Sequence, residues 1–227
     1  MNRTWTIAIS AVCLLGLALP ASATVVVYDF GDELSTGGTN NVTQFTTDIA
    51  DCVDATGAST GIALNVYDPF FPNDNPNGTQ AATGDASIFD VQTTRDNLFG
   101  NGKYWEGNTV ATAGVRLTGL DPNLTYDFVF FASRMGVSDI RDALYQVTGL
   151  NGGSDVLNAS NNESEVAFVG GISPTAGGMI TIDVSPGPNN TSSVEFYYLG
   201  AMQVSYVPEP ATLALLALGG LVVLRRR

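Results

Sequence analysis

Histidine is absent from this 227-residue sequence, cysteine occurs twice, and nine lysines and arginines stand against 22 aspartates and glutamates. Without an imidazole there is no Ser-His-Asp or Cys-His nucleophile, no HExxH zinc site and no histidine acid–base chemistry. A formal net charge of −13 makes nucleic acid a poor partner, because backbone phosphates are repelled by an acidic surface. No apolar run reaches the ~20 residues of an ordinary bilayer span. What the chain does have is 44% hydrophobic residues, only 14% charged residues and 25 glycines. That composition describes a folded core with many tight turns rather than a disordered polyampholyte.

The two ends differ from the middle. Residues 1–23 begin with a basic Arg3, continue as an apolar run from Ile7 to Leu19, and end in Pro20-Ala21-Ser22-Ala23. This is the layout of a secretory signal peptide, with signal peptidase expected to cut between Ala23 and Thr24. Ser10-Ala11-Val12-Cys13 lacks the small residue that precedes a lipidated cysteine. Cleavage would remove Cys13 and leave Cys52 without a disulfide partner, although the destination is oxidising. Asp51 and Asp54 flank Cys52 and disfavour its thiolate, so it is expected as a buried structural thiol.

Residues 207–227 read Val207-Pro208-Glu209-Pro210, an apolar stretch from Ala211 to Leu224, then Arg225-Arg226-Arg227. An apolar helix closed by arginines is a stop-transfer element whose positive end stays in the cytoplasm. At 1.5 Å per residue it reaches about 21 Å of a ~30 Å hydrocarbon core, so it is a marginal transmembrane helix that needs bilayer thinning. Pro208-Glu209-Pro210, an apolar helix containing Gly219-Gly220, and the Arg225-Arg226-Arg227 cluster resemble the PEP-CTERM sorting signal of Gram-negative bacteria. The resemblance covers about twenty residues. It implies that an exosortase, a membrane cysteine protease, cleaves near Pro208-Glu209-Pro210 and passes the protein towards an exopolysaccharide-rich surface. It implies nothing about the activity of the body.

The body, residues 24–206, holds five basic and 21 acidic residues, a net of −16, and has the length of one domain. Strand signals dominate it. Thr24 to Phe30 is a β-branched opening strand stopped by Gly31, and Ile62 to Tyr67 and Gly114 to Thr118 follow. After the turn Gly119-Leu120-Asp121-Pro122-Asn123, Thr125 to Phe131 alternates with Tyr126, Phe128 and Phe130 on one face, the pattern of a central strand. Further strands are expected at Leu144 to Thr148, Ser154 to Asn158, Glu165 to Val169, Met179 to Val184 and Glu195 to Tyr206. Only Asp85 to Val91 and Ser138 to Leu144 could carry a helical turn.

Eight or nine short strands without room for crossover helices predict an all-β fold, an antiparallel β-sandwich. Tyr28-Asp29-Phe30-Gly31, Asn40-Asn41-Val42-Thr43, Phe131-Ala132-Ser133-Arg134 and Tyr198-Leu199-Gly200-Ala201-Met202, with the turn before Tyr126, are similar to uncharacterised galactose-binding-like jelly-roll domains of bacterial surfaces. An immunoglobulin-like sandwich is the alternative.

Arg134, Asp139, Arg141, Asp142 and Tyr145 form the densest polar cluster, just beyond the aromatic strand. Paired arginines and carboxylates can bind vicinal sugar hydroxyls or a uronate; they can equally pin a loop by satisfying one another. Trp105 and Glu106, next to Tyr104, can stack a sugar ring and accept from its hydroxyls, or the tryptophan can serve core packing. Asn73 to Gly78 looks like the start of a calcium loop, but Gly84 stands where a bidentate glutamate is required, so the EF-hand reading fails. A looser calcium site there or around Asp29, Asp32 and Glu33 competes with a plain solvated loop.

These residues describe an exported, transiently anchored surface or matrix protein, non-catalytic, that binds glycan or is structural in exopolysaccharide. The alternative is a carboxylate-dependent glycan hydrolase or lyase using Glu106 with Glu163, Glu165 or Glu195.

Overall fold

Alternating β-branched and aromatic residues separated by Gly, Asn and Asp turns leave the chain little choice but short paired strands. The computed structural model describes residues 22–46 and 48–208. The expected signal segment up to Ala21 and the tail from Glu209 to Arg227 therefore lie outside the described residues. Thr24–Tyr206 is one compact unit.

Its strands are β1 (Thr24–Phe30), β2 (Thr39–Val42), β3 (Asp48–Ile49), β4 (Ala63–Asp68), β5 (Asp74–Asn75), β6 (Asn97–Trp105), β7 (Asn108–Val110) and β8 (Ala113–Thr118). They continue as β9 (Tyr126–Phe131), β10 (Asp142–Thr148), β11 (Gly152–Asn158), β12 (Ala167–Ile172), β13 (Ile180–Pro186), β14 (Phe196–Leu199) and β15 (Ala201–Tyr206). Between β5 and β6 lie a 3-10 turn, Gly84–Ile88, and a single helical turn α1, Val91–Thr94. Asp90 caps α1 by accepting from the backbone N–H of Gln92 and Thr93.

One sheet runs β12-β9-β15-β1-β2, a second β11-β10-β13-β8-β4-β3, and a smaller one β14-β6-β5 with β7 beside β6. The pairings are antiparallel except β1 with β2. The inner faces of the two large sheets meet in one core that contains Tyr28, Phe128, Met202 and Val204 from the first and Val115, Leu117, Ile182 and Val184 from the second. Phe130 of β9 stacks on Tyr145 of β10 across that core at 4.7 Å between ring centroids. Each such buried side chain contributes about 1.5–3 kcal/mol. The body is thus an antiparallel β-sandwich, consistent with a jelly roll.

The opposite face of β9 and β15 is covered as well. Phe131 and Ala201 pack beneath Ala86 and Phe89 of the 84–90 segment, which is why the whole end of β9 reads as apolar. The helical expectation at Asp85 to Val91 is met by the 3-10 turn. Ser138 to Leu144 is instead non-helical: Ser138 to Arg141 is an irregular approach, and Asp142 to Leu144 begin β10.

The closing segment differs from its expectation in an instructive way. Glu195 to Tyr206 reads as one strand, but Gly200 divides it into β14, which pairs with β6, and β15, which pairs with β1 and β9. Gly200 donates to Phe131 O at 2.9 Å and accepts from Phe30 N at 2.7 Å. A Cβ there would lie 2.5 Å from Asn97 Oδ1, so the crossing needs glycine. The longest strand, β6, is not among the expected strands, and Gly100 and Gly102 lie inside it. They are close-approach residues: a Cβ on Gly100 would lie 2.1 Å from the Tyr197 hydroxyl oxygen and one on Gly102 2.4 Å from the Glu195 carboxylate.

Candidate functional site

β6 and β14 bring four aromatic rings to one end of the sandwich. Pairing sets Tyr198 opposite Phe99 and Phe196 opposite Asn101. Trp105, at the end of β6, meets Phe196 edge-on at 5.0 Å and Phe99 at 5.9 Å, and Phe71 stacks on Phe99 at 4.9 Å. Phe99, Trp105, Phe196 and Tyr198 form the aromatic wall of a cleft of about 230 Å³, with Phe71 packed against Phe99.

The second wall is cationic. Asn97, fully buried, bonds both backbone groups of Ser133: its Nδ2 donates to Ser133 O at 2.7 Å and its Oδ1 accepts from Ser133 N at 3.0 Å. Arg134 follows directly, its N–H donating to Ala159 O at 2.7 Å, and its guanidinium donates to the carbonyl of Met135. Arg141 is held by Asp139, Nε to Oδ1 at 3.0 Å. Its guanidinium sits 5.1 Å from the centre of the Phe196 ring and donates to the Tyr198 hydroxyl. The segment Asn73 to Asn77 closes the third side, with Asn75 paired to Asn97 and Asn77 O accepting from Met135 N at 2.8 Å.

The fold therefore brings Arg134, Arg141 and Trp105 together, three residues separated by up to 36 positions in sequence. Asp139 stands behind Arg141 as its counter-ion. Asp142 takes no part: it is buried at the start of β10 and accepts from Asn189 N at 3.2 Å. Two expected ligand residues are elsewhere. Tyr145 is a core residue, 0% exposed, whose hydroxyl donates to Tyr198 O at 2.8 Å; complete burial pushes its phenol upward. Glu106 occupies the exposed tight turn between β6 and β7 with φ 44° and does not line the cleft. Trp105 combines both readings, half-buried in the aromatic cluster while lining the cleft.

Phe99, Phe196, Tyr198 and the 73–77 segment were missed as cleft residues. Phe196 and Tyr198 carry a sequence signal, alternation in phase, but it reads as an interior strand face. Asn73 to Gly78 attracts attention for oxygen ligands, whereas in the fold it supplies a strand pair and a wall.

The surroundings are acidic. Asp74, which lines the cleft, has its carboxyl pushed up by burial and then by the charges of Asp32 and Glu33. Burial raises Asp29 to about 7 and Asp96 to about 6. Among the described residues no group of three or more His, Cys, Asp or Glu is placed to hold a metal ion. A second, larger depression of about 340 Å³ is lined by Thr83, Asn158 and residues 160–165 and has no aromatic ring.

The described residues reach Pro208, the first residue of the Pro208-Glu209-Pro210 signature, while Ala23 leads into β1 at Thr24. No curated protein matches the sequence. Among solved structures, the ANXUR1 extracellular domain from Arabidopsis thaliana is similar over 72% of this chain and 46% of that one, with 12% identity and a TM-score of 0.42; this chain thus spans less than half of that one. The family model for the PEP-CTERM protein-sorting motif matches residues 207–227. The chain carries that motif and is an exosortase-sorted exported protein that is transiently anchored in the membrane.

Proposed function

We propose that the body is a non-catalytic glycan-binding module that acts in extracellular polysaccharide after sorting. The observation that carries this reading is the cleft itself: an aromatic wall of Trp105, Phe196 and Tyr198 facing the guanidinium groups of Arg134 and Arg141 and the amides of Asn73 and Asn77. A ring face offers the apolar CH surface of a sugar a stacking partner, and guanidinium and amide donors suit its hydroxyl oxygens. Among the described residues that make ion pairs, Arg95, Lys103 and Arg141 are each bound to a carboxylate; Arg134 is in no such pair, and its guanidinium, which donates to the Met135 carbonyl, has further N–H donors for a ligand.

A hydrolase reading needs two carboxylates about 5–10 Å apart across the scissile bond. What supports the non-catalytic reading is that Asp74 alone among the residues lining the cleft is acidic, with Glu106 outside it. The second depression holds Glu163 and Glu165 but no stacking surface.

The test is affinity electrophoresis of the full chain through gels containing the host's own exopolysaccharide. The expected result is retention in the micromolar-to-millimolar range, weakened about tenfold or more, about 1.4 kcal/mol, by W105A or R134A. Absence of retention on any polysaccharide sinks the binding reading and leaves a purely structural role; reducing-end release from the polymer establishes the enzyme instead.

A further inference from the structure

Away from the cleft's sugar-facing wall, two carboxylates are buried with half of their acceptor capacity unused. Asp29, near the end of β1, and Asp96, immediately before β6, are both 0% exposed. Each spends one oxygen on the same loop. Asp29 Oδ2 accepts from Ser35 N at 3.1 Å, and Asp96 Oδ2 accepts from Glu33 N at 2.8 Å. Their other oxygens, Asp29 Oδ1 and Asp96 Oδ1, are shielded from solvent and have no hydrogen-bond partner. Ser35 Oγ, on a residue 5% exposed, is shielded as well and makes no hydrogen bond of ordinary geometry, although its hydroxyl lies close enough to Asp29 to oppose the upward push of burial on that carboxyl.

Three orphaned oxygens on one loop anchorage need an explanation, because a buried acceptor without a partner is costly. Arg95 is the nearby cation, and its charge opposes the upward shift of both carboxyls, but its Nε lies against Glu33 Oε2 at 3.0 Å and it makes no hydrogen bond to either free oxygen; the charges of Glu33 and Asp74 act on Asp96 in the opposite sense. Gly31 shows how tightly the carboxylate is seated, since a Cβ there would lie 2.1 Å from Asp96 Oδ2.

We propose that Asp29 Oδ1, Asp96 Oδ1 and Ser35 Oγ are ligands of a calcium ion that clamps the 31–35 loop to the start of β6. The donor set is all oxygen, the choice of a hard cation. Two carboxylates and a hydroxyl would supply three places, and water or backbone carbonyls would supply the others. Calcium accepts six to eight oxygens in flexible arrangements, whereas magnesium demands a near-ideal octahedron. The absence of a third carboxylate places the affinity with weak extracellular modules, about 10⁻⁴–10⁻³ M, which suits an exported protein. Asp96 adjoins Asn97, which holds Ser133 beside Arg134, so the ion would also stiffen the cationic wall of the cleft.

The experiment is calorimetric titration of the chelator-stripped full chain with calcium chloride, with magnesium chloride at equal ionic strength as control, together with melting curves. The expected result is one calcium per chain and a melting temperature raised by calcium but not by magnesium. D96N binds calcium about tenfold more weakly or worse, the scale of a disturbed metal site. S35A removes one small ligand without touching the carboxylates, keeps the fold by circular dichroism, and also weakens binding. Wild type that gives neither heat nor a melting shift with calcium overturns the proposal. So does equal response to magnesium, or calcium binding unchanged in both variants. A D96N chain more stable than wild type, with calcium silent, assigns the orphaned oxygens to a shared proton and likewise overturns the metal site.

Discussion

Asn97→Ala isolates the contact on which the cleft depends. Asn97 is fully buried, and both ends of its amide bond the backbone of Ser133, at 2.7 and 3.0 Å. Alanine removes both partners and no solvent reaches the site, so the Ser133 N–H and C=O are left unsatisfied together. At about 1–3 kcal/mol for each buried orphaned group, the loss of stability is roughly 2–6 kcal/mol. That is a large part of the ~5–15 kcal/mol that a domain has in total. Ser133 immediately precedes Arg134, so the same substitution loosens the cationic wall and weakens polysaccharide retention as well. Urea unfolding of the full chain followed by tyrosine and tryptophan fluorescence measures the first effect, with the change expected in the midpoint rather than the slope. A loss below about 1 kcal/mol would falsify the reasoning, because it would mean that the Ser133 groups find other partners and that the amide is not what seats the wall.

Two further outcomes follow from burial. Tyr145→Phe deletes the hydroxyl that donates to Tyr198 O and lowers stability by about 1–2 kcal/mol, yet retention on polysaccharide stays at the wild-type level because Tyr145 does not face the cleft; a large loss of retention with unchanged stability refutes its assignment to the core. Cys52 is free and 0% exposed, and burial, aided by the charge of Asp51, pushes its thiol up while the Tyr28 hydroxyl opposes this. It should therefore resist iodoacetamide at pH 8 in the folded chain and react fully in urea, as followed by mass spectrometry of the Cys52 peptide. Comparable labelling in both states contradicts its burial.

The legible and illegible parts of the fold divide for a physical reason. Period-two alternation reports which residues share a face of one strand, and at Tyr126 to Phe131 and Ile180 to Val184 that is enough to identify strands and their buried faces, while β-branched content marks Thr24 to Phe30 as a strand. It does not report which sheet a strand joins. Phe196 and Tyr198 alternate in the same phase as Met202 and Val204, yet the first pair serves the aromatic wall and the second the main core, because Gly200 redirects the chain between two sheets. Glycine itself is ambiguous in letters: only the Tyr197 hydroxyl and the Glu195 carboxylate lying against Gly100 and Gly102 explain why a nine-residue strand contains both.

The same division holds for function. The sequence by itself determined the class of the fold, the exclusion of imidazole chemistry, the acidity of the body and the sorting motif at residues 207–227, because composition and short contiguous signals need no partner to be read. Only the tertiary structure decided that Trp105, Arg134 and Arg141 share a cleft, that Tyr145 is sealed in the core and that Glu106 stands apart. It also decided that Asp29 and Asp96 are buried around one loop. Those are facts of convergence between segments tens of residues apart. Strand pairing and burial set them, and no local pattern encodes them.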